Sequence, residues 1–112
     1  MPALVDQSAR DVPATAPRLT AADVAAVSAE LDPAWTVVGD ELHRRYPFAD
    51  FAGAVAFVTS LGPLADADDH HPELLVAWGR VDVHLSTHDV GGLSQRDLIV
   101  AAKLDRLFAI TG

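Results

Sequence analysis

Residues 74–86 read Leu74-Leu75-Val76-Ala77-Trp78-Gly79-Arg80-Val81-Asp82-Val83-His84-Leu85-Ser86. Leu74, Val76 and Trp78 alternate with their neighbours, and Val81, Val83 and Leu85 alternate with Asp82, His84 and Ser86, the period of strands with one buried face. Gly79-Arg80 suits a two-residue turn, so the stretch predicts an antiparallel hairpin. A second hairpin is predicted upstream, where Gly39-Asp40 separates the extended runs Trp35 to Val38 and Glu41 to Tyr46.

Helical periods flank these hairpins. Thr20 and Asp23 form a capping-box pattern, and Val24, Val27 and Leu31 follow at helical spacing until Asp32-Pro33, predicting a helix over about 21–31. Asp50 suits an N-cap; Phe51, Val55 and Val58 supply the apolar stripe of a second helix running to about Ala65, with Gly62-Pro63 predicting a kink or an early end. Ser94 and Asp97 repeat the capping-box pattern before a third helix to about Ile110. Val100, Leu104, Leu107 and Phe108 form its buried stripe, and Ile99 and Ile110 fall on the polar side. The order α-β-β-α-β-β-α predicts an α+β domain, a four-stranded antiparallel sheet with three helices packed on one face. Residues 1–18, with Pro2, Pro13 and Pro17 and no sustained hydrophobic period, predict a flexible leader outside the core, leaving 19–112 as the single domain.

Composition narrows the function. The chain has 112 residues, no cysteine, and 8 Lys plus Arg against 16 Asp plus Glu, a formal charge of −8. Without thiols there is no disulfide framework, Cys-ligated metal or cysteine nucleophile. The acidic balance argues against nucleic acid and acidic membrane surfaces as partners, since those contacts depend on Lys and Arg. No run approaches a membrane span and no signal peptide is evident, so a cytoplasmic location is expected. Lys103 is the only lysine, and the abundance of Ala, Val, Asp and Arg points to a GC-rich bacterial genome.

Four of the five histidines fall between 66 and 97, among Asp66, Asp68, Asp69, His70, His71, Ser86, Thr87, His88, Asp89 and Asp97. His70-His71-Pro72 sits where a helix hands over to a strand, and the proline forbids helical continuation through His71. His84, Ser86 and His88 share parity if the strand persists that far. Imidazoles that titrate near neutrality beside carboxylates suit general acid–base work. A His/Asp site for zinc or iron is the rival reading, although neighbouring residues rarely converge on one ion and no His-x-His or His-x3-His pair lies on a helical face. Asp97 also has a plain explanation as the partner of Ser94 in the helix cap. Trp35 and Trp78 are core anchors by default.

The stretch from Asp66 through His70-His71-Pro72, Trp78, Ser86-Thr87-His88 and Gly92-Leu93-Ser94-Gln95-Arg96-Asp97 resembles the pterin-4-alpha-carbinolamine dehydratases. Its pattern is an acidic residue, His-His-Pro, an aromatic, a histidine and an aspartate, with three, five, nine and eight residues intervening. The resemblance extends more loosely to Trp35 and to Tyr46-Pro47-Phe48-Ala49-Asp50-Phe51. It implies dehydration of 4a-hydroxytetrahydropterin to quinonoid dihydropterin and water, serving an aromatic amino-acid hydroxylase, with no metal or organic cofactor. By position, His70 and His88 would act as acid or base, and His71 would position or deprotonate the substrate. Asp66, Asp69, Ser86 and Thr87 would bind it, Trp35 would border the cleft, and Asp97 and Pro72 would support the cluster. The resemblance also implies a homodimer or homotetramer. Its alternative is a non-catalytic dimerisation or assembly factor, with a transcription factor or Rubisco as partner. From the residues themselves, Ile99, Ile110 and one open sheet face predict a homo-oligomer.

Overall fold

The computed structural model of the chain describes residues 2–111. Its sheet has the order β1-β2-β4-β3, from β1 (Thr36–Val38), β2 (Glu41–Pro47), β3 (Glu73–Ala77) and β4 (Arg80–Leu85), and every neighbouring pair is antiparallel. The hairpins therefore lie where the alternation places them. The second turn falls at Trp78-Gly79, one residue earlier than expected, because Ala77 pairs with Arg80 and Gly79 takes the positive φ of 77°.

Three helices complete the α+β architecture: α1 (Ala21–Ala26), α2 (Phe51–Asp68) and α3 (Gln95–Thr111). The Thr20 hydroxyl accepts from the Asp23 amide and the Asp23 carboxylate accepts from the Thr20 amide, so the predicted capping box forms. The helix it starts is shorter than expected, giving way to a 3₁₀ turn over Ser28–Glu30. Conversely, α2 continues past Pro63 to Asp68 instead of ending near Ala65.

The buried stripe of α2 is Ala54, Phe57, Leu61 and Ala65, while Phe51 and Val55, expected to face the core, are exposed. Small alanines beside Phe57 let the helix approach closely, and the larger residues at its start are left outside. Tyr46, Phe48, Phe57 and Phe108 cluster with ring centroids 4.9–6.0 Å apart where β2, α2 and α3 meet.

The N-terminal residues correct the expected leader. Leu4 and Ala9, in short 3₁₀ turns over Leu4–Asp6 and Ala9–Asp11, are buried in the core, and both turns pack on α3. This also corrects Ile99, which is fully buried because the side of α3 expected to be polar is covered. Arg10 donates to the Ala67 and Asp66 carbonyls at 3.0 Å, satisfying carbonyls at the end of α2. Asp68 accepts from the Ala9 amide at 3.2 Å and pairs with Lys103 at 2.9 Å, joining the N-terminal segment, α2 and α3. Among the described residues, no helix is long and apolar enough to cross a membrane.

Candidate active site

The end of α2 aims the two adjacent histidines in different directions. Asp69 takes a left-handed conformation (φ 51°, ψ 38°), the one non-glycine residue with positive φ among the described residues. Its amide donates to the Asp66 carbonyl at 3.2 Å and the His70 amide donates to that of Ala65 at 3.2 Å, the paired bonds of a Schellman turn. The His70 ring is buried against α3, and His71 stays exposed, its Nε2 2.8 Å from Asp66 Oδ1. Pro72 then directs the chain into β3.

The other wall follows β4. The strand ends at Leu85, and Thr87 closes a short loop by exchanging backbone hydrogen bonds with Gly92 at 2.7 and 3.3 Å. The tip is a 3₁₀ turn over His88–Val90 that holds His88 in solvent. Ser86 and His88 thus reach the site, whereas His84, expected on their face, lies further back on the sheet beside His43.

Asp97 joins these walls. Its side chain is 0% exposed. One carboxylate oxygen lies 2.6 Å from His70 Nε2; the other accepts from the Thr87 hydroxyl at 2.8 Å and the Ser94 amide at 2.9 Å. Since Thr87 gives its single proton to Asp97, the 2.8 Å contact between the Thr87 and Ser94 hydroxyls has Ser94 donating. Asp97 is therefore both the helix-cap partner of Ser94 and the support of His70. A carboxylate can only accept, so it holds the proton of His70 on Nε2 in the neutral ring and leaves Nδ1 to exchange a proton.

Asp69, His70, His71, Ser86, Thr87, His88, Asp89 and Arg96 line an open concavity of about 260 Å³. Asp66 joins it through His71. Trp35 is not in it: the indole Nε1 donates to Asp105 at 2.9 Å on the β1 side of the sheet, which corrects its expected place at the cleft. Asp68, counted among the chemistry-bearing residues, is turned inward to Lys103. Arg96 was missed as a site residue. It lines the concavity, donates to the Val12 carbonyl at 3.2 and 2.8 Å and reaches Asp89 at 3.4 Å. Its place in the first turn of α3, one residue before Asp97, was the available signal.

The family model for pterin 4 alpha carbinolamine dehydratase matches residues 17–107. The chain belongs to this family. A protein of Thermosynechococcus vestitus, provisionally named a pterin-4-alpha-carbinolamine dehydratase, is 44% identical over 95 residues, covering 85% of this chain and 99% of its own. A similarly named protein of Solibacter usitatus is 49% identical over 76 residues, 68% of this chain and 80% of its own. The crystal structure of a transcriptional coactivator/pterin dehydratase from Brucella melitensis superposes with a TM-score of 0.74 at 35% identity, covering 85% of this chain and 99% of that one. For a pterin carbinolamine dehydratase family member, the His-His-Pro motif, the Ser86-Thr87-His88 loop and Asp97 therefore meet around one concavity.

Proposed function

We propose that the protein dehydrates a 4a-hydroxytetrahydropterin to the quinonoid dihydropterin and water. The observation that carries this reading is the buried Asp97 tied to His70 and Thr87 behind a concavity also lined by His71 and His88. In the elimination the C4a–O bond breaks as its oxygen takes a proton, and the N5 electron pair forms the C4a=N5 bond as N5 loses its proton. One group must donate and another accept, and the protein ends the turnover with its protons unchanged. His70, oriented by Asp97, and His88, whose ring has no hydrogen-bond partner among the described residues, fill these roles. His71, held by Asp66, positions the substrate; Asp69, Ser86 and Thr87 offer hydrogen bonds to the pterin. The dihydropterin would return to the cycle of an aromatic amino-acid hydroxylase.

The test is the decay of 4a-hydroxytetrahydropterin generated in situ by a phenylalanine hydroxylase. The protein should accelerate it, and His70→Ala and His88→Ala should each cut turnover by about 100-fold or more. Near-normal turnover in both variants overturns the reading.

Exposed apolar residues favour a second, compatible role in association. Leu75 and Trp78 lie on β3 and its turn at the sheet edge, and Phe51 and Val55 stand out from α2. A homodimer or homotetramer would cover them; Ile110 is a further exposed apolar residue, whereas Ile99 is buried. The coactivator role named for the Brucella protein makes a heterologous partner the alternative occupant. A monomer at micromolar concentration by light scattering would remove self-association. A stoichiometric partner that survives loss of His70, His71 and His88 would identify an assembly role.

A further inference from the structure

The open face of the sheet carries a second group of histidines, unconnected to the concavity around Asp97. His43 and His84 are directly opposed on β2 and β4, the two central strands, and their rings stack with centroids 3.8 Å apart at 12°. Glu41, two residues before His43, projects from the same face. Its Oε1 lies 2.6 Å from His43 Nε2 and 3.7 Å from His84 Nδ1. One donor atom from each residue lies within 4.8 Å of the others, and all three residues are half-buried. Nothing in the dehydration uses them.

We propose that Glu41, His43 and His84 form a binding site for a divalent transition-metal ion of the zinc type. Two imidazoles and a carboxylate are a donor set that suits zinc, leaving a position for water. A tetrahedral ion about 2.1 Å from each donor holds donors about 3.4 Å apart. The Glu41–His43 and Glu41–His84 separations of 2.6 and 3.7 Å bracket that spacing, and the two imidazole nitrogens lie within 4.8 Å, so the site closes when the stacked rings turn out of their parallel arrangement toward the ion. The strands supply the backbone placement, because opposed residues on an antiparallel pair keep their side chains about 5 Å apart. The neighbouring cations on this face are already engaged: Arg45 holds Asp82 through a fork at 2.7 and 3.3 Å, and Arg80 reaches the same carboxylate at 3.3 Å. Glu73, opposite His84 on β3, shares the row and offers a further carboxylate. An ion here clasps β2 to β4 at the centre of the sheet.

The test is calorimetric titration of Zn²⁺ into untagged, chelator-treated protein, with Co²⁺ as an absorbing substitute. One equivalent should bind per chain, give a visible Co²⁺ ligand-field band and raise the melting temperature. Losing even an outer partner of a metal ligand costs about 10–100-fold in affinity, so His43→Ala and His84→Ala should each cost at least about 100-fold and abolish the Co²⁺ band. Glu41→Gln, which preserves side-chain shape, should weaken binding by at least about tenfold. Circular dichroism checks the fold of each variant. The double variant His71→Ala/His88→Ala should bind as the parent does. The proposal fails if Zn²⁺ does not bind the parent at millimolar concentration. It fails equally if the sheet variants bind normally, or if the band is lost with His71 and His88.

Discussion

Two carboxylates on α3, Asp97 and Asp105, stand about 12 Å apart along the helix axis. Asp105 gathers side chains from β2 and the start of β1, and Asp97 gathers groups from the turns that follow α2 and β4. Asp105 takes the guanidinium of Arg44 at 2.6 Å, the phenol of Tyr46 at 2.7 Å and the Trp35 indole. Asp97 takes an imidazole, a hydroxyl and an amide. The difference lies in what the partners can do with a proton. Arg44 is a permanent cation, and burial, then the Asp105 charge, pushes the Tyr46 phenol far above its ordinary range, so that group keeps its proton. The cluster around Asp105 is a fixed clamp. At Asp97 the main partner is a ring that gains and loses a proton, and its other nitrogen is left to do so. The same residue type on one helix therefore anchors a clamp in one place and, in the proposed mechanism, orients an acid–base ring in the other.

Substitutions can break this contrast. Asp105→Ala leaves the buried Arg44 with only the longer 3.5 Å contact to Asp32; it should cost about 3 kcal/mol in a denaturant titration and leave turnover per folded molecule nearly unchanged. Equal loss of turnover would mean that the clamp also shapes the site. Next in size is Leu4→Ala, which opens a cavity behind the helix carrying both carboxylates; about 2–3 kcal/mol of stability should be lost, again by denaturant titration. No loss would show that the N-terminal turns contribute nothing to α3. Asp97→Asn should reverse the first pattern, lowering kcat about 10–100-fold and altering its pH profile while KM changes little, as steady-state kinetics would report. The smallest effect belongs to a half-buried carboxylate on the open face of the sheet. Hydrogen bonding from Arg45, outweighing desolvation, lowers the Asp82 pKa. Its stabilisation is therefore present above the ordinary carboxylate range and disappears as pH falls through and below it. Asp82→Asn should lower Tm by no more than about 2 °C near neutrality, and the difference should vanish in acid.

Much of the fold was legible because its signals were local. Alternation around Gly39 and Gly79 located both hairpins, and Thr20 with Asp23 located a helix start. What was misread depended on distant partners. Ile99 on an otherwise polar face and an apolar Leu4 in a proline-rich stretch are both buried where the N-terminal turns pack on α3, each unremarkable alone. In α2, apolar residues occur around much of the helix, so periodicity could not separate Phe57, which is buried, from Phe51, which is not. At the site, the registered motif placed His70, His71, His88 and Asp97 around one region. The motif could not show that Trp35 turns away to Asp105, because that choice is made by Arg44 and Tyr46 on the next strand.

The chain's two tryptophans make the molecule its own optical reporter. Trp35 is 8% exposed and bonded through its indole, whereas Trp78 at the β3–β4 turn is 75% exposed. Acrylamide, a neutral quencher unaffected by the net negative charge, should therefore extinguish the red-shifted emission first. Shielding of that component as concentration rises would follow burial of the sheet edge in unlabelled protein. The blue component would meanwhile register the integrity of the Asp105 clamp.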